Sequence, residues 1–294
     1  MLPNFIIAGA TRSGTTSLYY YLMQHPDITF PKLKEPRYFS SINLKLPQNG
    51  PGDFSVDRKL ILSFDDYNKL YESINAKRIG DASSEYLYHY DVSAKEIKEK
   101  LGDIPIIIIL RNPIERAFSA YNNLVRDGRE TQNFSQALKL EDERMLNNWD
   151  MMWHYKRVGL YYNQVTEYLN TFSKVKVIIF EEFVKDPKKF LSELCSFLDV
   201  SPDMDIDTGT VYSYSGKPKN KLIAFLGSRN NKYINRIRVF ALSLIPRNIF
   251  ESISKKVLVK NQIDENSRNY LREFYKDDIL KLQQLLKKDL SFWN

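Results

Sequence analysis

Four short apolar runs recur along the chain, NFIIAGA (4–10), KRIGDAS (77–83), IPIIIILR (104–111) and KVKVIIF (174–180), and helical patterning follows each one. The helical stretches are TTSLYYYLMQH, VSAKEIKEKL, PIERAFSAYNNLV and DPKKFLSELCSFL. Apolarity that is continuous rather than alternating belongs to strands covered on both faces, which is the situation of a parallel sheet between helices. An α/β fold is expected, with a central parallel sheet flanked by helices in a single domain over residues 1–294. Pro113 sits where a helix's first turn accepts proline. Residues 40–60 hold Pro47, Asn49, Gly50, Pro51 and Gly52 and read as an excursion or lid, and the terminal DDILKLQQLLKKDL reads as an amphipathic helix.

The first run opens into a loop with Gly9 and Gly14 on the pattern G-x-x-x-x-G, the outline of a phosphate-binding turn. Backbone N–H groups in such a turn, with the following helix's amino terminus, make an anion cradle, and Thr15 and Thr16 add hydroxyl donors. The lysine of a nucleotide triphosphatase is absent: the chain reads Gly14-Thr15-Thr16, with a basic residue at Arg12 instead. Such an enzyme also wants an acid ending a neighbouring strand to hold magnesium. IPIIIIL ends instead in Arg111, which suggests a second phosphate bound without metal. The single Cys195 excludes a disulfide framework and a multi-cysteine metal site, and fits a reducing compartment. No signal-peptide pattern and no bilayer-length apolar run are visible, so a soluble, cytoplasmic protein is expected.

GATRSGTTSLYYYL resembles the 5′-phosphosulfate loop of sulfotransferases that use 3′-phosphoadenosine 5′-phosphosulfate (PAPS). LRNPIERAFSAY is similar to their 3′-phosphate motif, which places Arg111 at a strand end and Ser119 eight residues on. The resemblance continues through KEPRYFS, GDASSEYL, VGLYYNQVTEYLNTF, VIIFEEFVKDPKKFLSELCSFLDV and LLKKDLSFW, and is nearest to the carbohydrate and heparan sulfate branch with its bacterial members. It implies a P-loop-like three-layer fold and sulfuryl transfer from PAPS, without metal, to a hydroxyl of a saccharide or glycolipid. Arg12 stands where the family usually has lysine; arginine keeps the charge but stays protonated, so its implied role is electrostatic stabilisation. The bland alternative is a solvated surface arginine. Ser13, Gly14, Thr15, Thr16 and Ser17 complete the implied phosphosulfate contact. LKEPRYF keeps Lys34, Glu35, Pro36 and Phe39, and Glu35 is the implied general base, with an ordinary exposed carboxylate as the alternative.

Ala82 stands where animal heparan sulfate enzymes carry a positioning lysine, which leaves Lys34 as the substitute. Asp81 and Ser83 either line the site or finish a strand. His89 is the reserve base, while His25 reads as a cap or packing residue and His154 is flanked by Trp153 and Tyr155. The loop SYSGKPKNKL is expected to close over the donor through Gly216 and Lys217, with Lys219 nearby. The aromatics of YLYHY either stack on sugar or adenine rings or pack the core.

Charge is local. Residues 216–260 hold eleven Lys or Arg against Glu251, a net +10, while the remaining residues sum to −3. An anionic acceptor or an acidic membrane surface would use the excess, with peripheral membrane association in the second case; a solvated helical face needs neither. Nucleic acid is not among the expected partners. Two rivals from other classes stay open, a kinase-like P-loop phosphotransferase and a non-catalytic protein that binds nucleotide or a membrane surface.

Overall fold

The computed structural model describes residues 1–203, 205–209 and 261–293, together with the backbone of 217–218 and 258–259. Five parallel strands, β1 (Phe5–Gly9), β2 (Ile28–Thr29), β3 (Arg78–Asp81), β4 (Ile106–Leu110) and β5 (Val175–Ile179), form one sheet in the order β2-β3-β1-β4-β5. Ile6 of β1 pairs with Asp81 on one side and Ile106 on the other. Every residue of β1 and of β4 is buried, as their uninterrupted apolarity requires. The strand of this sheet missed by the sequence reading is β2, two residues at the edge that offer no run to recognise.

The strands' two-residue period divides the core into two layers. Ile106, Ile108 and Leu110 face one cluster, with Ala94 and Ile97 of α2 (Tyr90–Leu101), Ala117 and Leu124 of α3 (Pro113–Arg126), Val165 and Tyr168 of α4 (Tyr161–Thr171), and Leu271 and Tyr275 of α6 (Glu265–Leu286). Ile107 and Ile109 face the other, with Leu18 and Leu22 of α1 (Thr15–Leu22) and Leu191, Leu194 and Cys195 of α5 (Pro187–Phe197). Cys195 is therefore a core residue. The result is the three-layer α/β arrangement expected.

This division positions the site. The helix after β1 lies on one face of the sheet and the helix after the adjacent β4 on the other, so their connections part at the strands' carboxyl ends and leave a crevice, the usual ligand position in such sheets. Asn112 fixes the start of α3: its side chain accepts from the Ile114 N–H at 2.9 Å, and Pro113 occupies the first turn.

The 40–60 excursion is pinned rather than loose. The carboxylate of Asp53 is wholly buried and accepts from the N–H groups of Gly50 (2.7 Å) and Asp150 (2.9 Å) and from Trp153 Nε1 (3.1 Å), and it pairs with Arg129. The terminal helix starts twelve residues earlier than its amphipathic pattern suggested, because ENSRNYLREFYK buries little beyond Ser267, Leu271 and Tyr275 and so shows a weak stripe.

Candidate active site

A cavity of about 570 Å³ opens in the crevice, walled by residues that follow β1, β2, β3, β4 and β5. On one side the loop after β1 brings Arg12, Gly14, Thr15, Thr16 and Ser17 to the wall. Arg12 has φ 69°, and Gly14 has φ 93° with Phe180 so close that a Cβ would come within 2.7 Å of its ring, so this position requires glycine. Ser13 is different: its side chain is fully buried and lines no part of the cavity, and its N–H donates back to the Ala10 carbonyl at 3.2 Å.

Three separately predicted residues meet here. Arg12 Nε donates to Ser119 Oγ at 3.2 Å, and Arg111 Nη1 donates to the Arg12 carbonyl at 3.3 Å while its guanidinium lies 5.2 Å from the Phe180 ring centroid. Ser119, Asn123 and Asp127 line the same wall at helical spacing. Burial first, then the charges of Arg126 and Arg111, push the Arg12 pKa down to about 9, with Asp127 opposing; it remains a cation at neutral pH. Burial is also the main cause lowering Arg111. Among the described residues neither arginine has a carboxylate at ion-pair distance, so this end of the cavity is electropositive and favours an anion. Arg12 is thus no solvated surface arginine.

The other end is built around Lys34-Glu35-Pro36-Arg37. Glu35 Oε1 accepts from Lys34 Nζ at 2.5 Å, and Glu35 Oε2 accepts from Arg37 Nη2 at 3.0 Å. Burial pushes the Glu35 pKa up, but the charges and hydrogen bonds of Lys34 and Arg37 outweigh it and hold it at about 2. Glu35 and Arg37 both have left-handed backbones, φ 58° and 60°, each costing on the order of 1–3 kcal/mol. The turn is braced from beneath: the Arg37 N–H donates to Ser83 Oγ (3.0 Å), Ser83 Oγ to Asp81 Oδ1 (2.7 Å), and Tyr67 and Tyr86 hydroxyls to Asp81 Oδ2 (2.9 and 2.8 Å). Asp81 and Ser83 therefore support the site without lining it. Tyr86 packs with Phe39 and Tyr67 in the core, so that part of YLYHY is packing rather than a platform.

Sequence reasoning missed the far wall. Glu85, Val56, Arg129, Met151 and Met152 line it; Glu85 lies within GDASSEYL but was not singled out there, and the other four belong to no local motif. His89 is half-buried at the amino terminus of α2 and does not line the cavity. Ala82 is buried in the apolar layer beside α1 and α5, whereas Lys34 reaches the cavity. Gly216, Lys219, the side chain of Lys217 and, apart from the backbone of 217–218 and 258–259, the basic stretch 216–260 lie outside the described residues. Among the described residues no group of three or more His, Cys, Asp or Glu could hold a metal ion, and no helix is long and apolar enough to cross a membrane.

Comparison with known proteins identifies the family. A model described as "Sulfotransferase family" matches residues 3–204. The crystal structure of a sulfotransferase from Alicyclobacillus acidocaldarius is similar over 100% of this chain and 99% of its own, with a TM-score of 0.80 and 34% sequence identity. Mouse carbohydrate sulfotransferase 15 is 25% identical over 248 residues, 68% of this chain. The mouse bifunctional heparan sulfate N-deacetylase/N-sulfotransferase 4 is 23% identical over 308 residues, 98% of this chain. The chain spans 44% and 30% of the lengths of these two relatives.

Proposed function

The chain belongs to the sulfotransferase family, and on that premise we propose that it moves a sulfuryl group from PAPS to a hydroxyl of a carbohydrate or glycoconjugate. The observation that carries the donor assignment is the convergence of Arg12, Arg111 and Ser119 at the glycine loop, two cations with no carboxylate at ion-pair distance among the described residues, beside a hydroxyl. Tyr21, Phe180 and Phe183 give the same end apolar surface for a nucleobase.

In the proposed reaction the S–O bond to the phosphate breaks as the acceptor oxygen bonds sulfur, and the electron pair stays on the departing phosphate oxygen. Arg12 stabilises the charge growing there. Glu35 takes the acceptor's proton. Its position in the cavity and its neighbour Lys34 support that role. With a pKa held near 2, however, Glu35 is a weak base while Lys34 is clamped to it. Lys34 is therefore assigned a second role: drawn toward the donor's charge, it releases Glu35 and raises its basicity. The carbohydrate acceptor is supported by the two mouse relatives named for carbohydrate and heparan sulfate, and the +10 charge of residues 216–260 by its sign favours an acidic acceptor or surface.

The test is incubation with PAPS and a panel of p-nitrophenyl glycosides in EDTA, following adenosine 3′,5′-bisphosphate release and the sulfated product by mass spectrometry. Sulfated glycoside formed without added metal is expected. Phosphate transfer from ATP to the same glycosides, with no sulfated product, would replace this reading by the phosphotransferase one.

A further inference from the structure

We propose that Glu85 is a specificity-determining residue of the acceptor subsite: with Glu35 it selects acceptors that carry two neighbouring hydrogen-bond donors, a vicinal diol or amino alcohol, one donor on each carboxylate. The inference rests on the reading of Glu35 as the base at the acceptor end. Its foundation is the placement of two carboxylates on one guanidinium. Arg37 Nη2 lies 3.0 Å from Glu35 Oε2 and Arg37 Nη1 lies 3.4 Å from Glu85 Oε2, so both carboxylates are held side by side against one rigid planar fork and both line the same cavity.

Glu85 has capacity to spare. It is buried, yet its hydrogen-bond partner is Ser40 Oγ, which donates to Oε1 at 2.8 Å, and its ion-pair partner is Arg37. A carboxylate has about four lone-pair positions, so acceptor capacity remains on the cavity side. A purely structural partner for Arg37 would be redundant, since Glu35 already holds the same guanidinium at shorter range. The surrounding wall suits the same class of acceptor: Val56, Met151 and Met152 offer apolar surface to the C–H face of a ring while the carboxylates meet its hydroxyl edge. Two adjacent carboxylates also disfavour an acceptor already sulfated or carboxylated beside the reacting hydroxyl.

The second contact is sensitive to pH. Burial pushes the Glu85 pKa up to about 7; Asp150 and Glu35 push the same way, and Arg37 and the Ser40 hydrogen bond oppose them. Arg129, the other cation of this wall, is paired with Asp53. Below about pH 7 Glu85 becomes the neutral acid and its hold on the second donor weakens, whereas Glu35 stays ionised.

The experiment compares p-nitrophenyl β-D-xylopyranoside with its monodeoxy derivatives as acceptors, using the full chain and PAPS. Wild type is expected to prefer the parent over the derivative lacking the hydroxyl beside the sulfated one by roughly 10- to 100-fold in kcat/KM, the size of one hydrogen bond to a charged group. Glu85→Gln is expected to bring the preference to within about threefold, through acceptor KM, with adenosine 3′,5′-bisphosphate affinity changed less than about twofold. An unchanged preference in Glu85→Gln, or an equal loss of kcat on parent and derivative, overturns the inference and leaves the sulfotransferase reading standing. A wild type that sulfates neither compound overturns both. Should Glu85→Gln lose the bisphosphate and so prove misfolded, the wild-type pH profile decides: the preference falls as pH drops from 8 to 6 if the inference holds, and a flat preference refutes it.

Discussion

The two ends of the cavity are built on opposite electrostatic plans. At the donor end Arg12 and Arg111 stand without a carboxylate at ion-pair distance among the described residues, beside a loop whose Gly14 takes φ 93° against the Phe180 ring. At the acceptor end three cations, Lys34, Arg37 and Arg129, are matched by three carboxylates, Glu35, Glu85 and Asp53. One end waits for charge from outside, and the other carries its own neutralisation. The donor end should gain affinity from any doubly phosphorylated nucleotide, while the acceptor end, its charges already matched, discriminates by the acceptor capacity left on its carboxylates.

The largest effect should come from the acceptor end. Glu35→Gln keeps size and loses basicity, so turnover should fall by roughly two to four decades, with donor affinity intact by calorimetry. Near-normal kcat would move the base elsewhere and dissolve the division between the two ends. Next in size is the brace of the acceptor wall: Asp53→Ala leaves Arg129 buried without a partner, and chemical denaturation should record a loss of about 3–5 kcal/mol. Arg12→Ala should lower kcat by about 10²–10³ and weaken donor binding as well, because its contact is made in the ground state and strengthens as charge develops. A pure kcat effect would show that the donor end does not hold the ligand through Arg12.

The smallest effect is on stability, and its sign separates the two acceptor carboxylates. Glu85 is raised from its ordinary value to about 7, so its contribution is full below about pH 4.5 and is lost as pH rises through 7. Glu35 is lowered to about 2, so its contribution is full above about pH 4.5 and is lost as pH falls toward 2. Thermal melts of wild type against Glu85→Gln should diverge between pH 5 and 8, with wild type losing roughly 1–3 kcal/mol relative to the variant. Parallel melts over that range would contradict the shifted Glu85. Asp53, Asp81 and Asp278, each raised to about 6 mainly by burial, act in the same direction in both proteins.

Legibility in the sequence follows the same division. The donor end could be read because its parts are local: the loop 9–17 carries its own geometry, and Arg111 is marked by the end of a five-residue apolar strand. The strands and most helices were readable for the same reason, since β4 and α3 each carry a complete pattern with its cap. The acceptor end was half legible. Lys34 and Glu35 came from a motif, but Glu85, Arg129, Met151 and Met152 are assembled from distant segments, and nothing local distinguishes a glutamate in SSEYL that ends in a cavity. Burial, which makes Glu85 chemically unusual, exists only after folding. Asp81 and Ser83 show the converse: residues beside a motif turned out to hold the turn from beneath, because the strand's inward face left them buried.

The central claim is that the donor end, whose two arginines have no carboxylate at ion-pair distance among the described residues, is a cationic site for a nucleotide with two phosphate positions. Isothermal titration of adenosine 3′,5′-bisphosphate and of AMP in EDTA, with wild type and Arg111→Ala, tests it directly. Wild type should bind the bisphosphate about 10- to 100-fold more tightly than AMP, one charge-assisted contact of about 1.5–3 kcal/mol, and Arg111→Ala should remove most of that preference. Equal affinities for the two nucleotides in wild type would contradict the account.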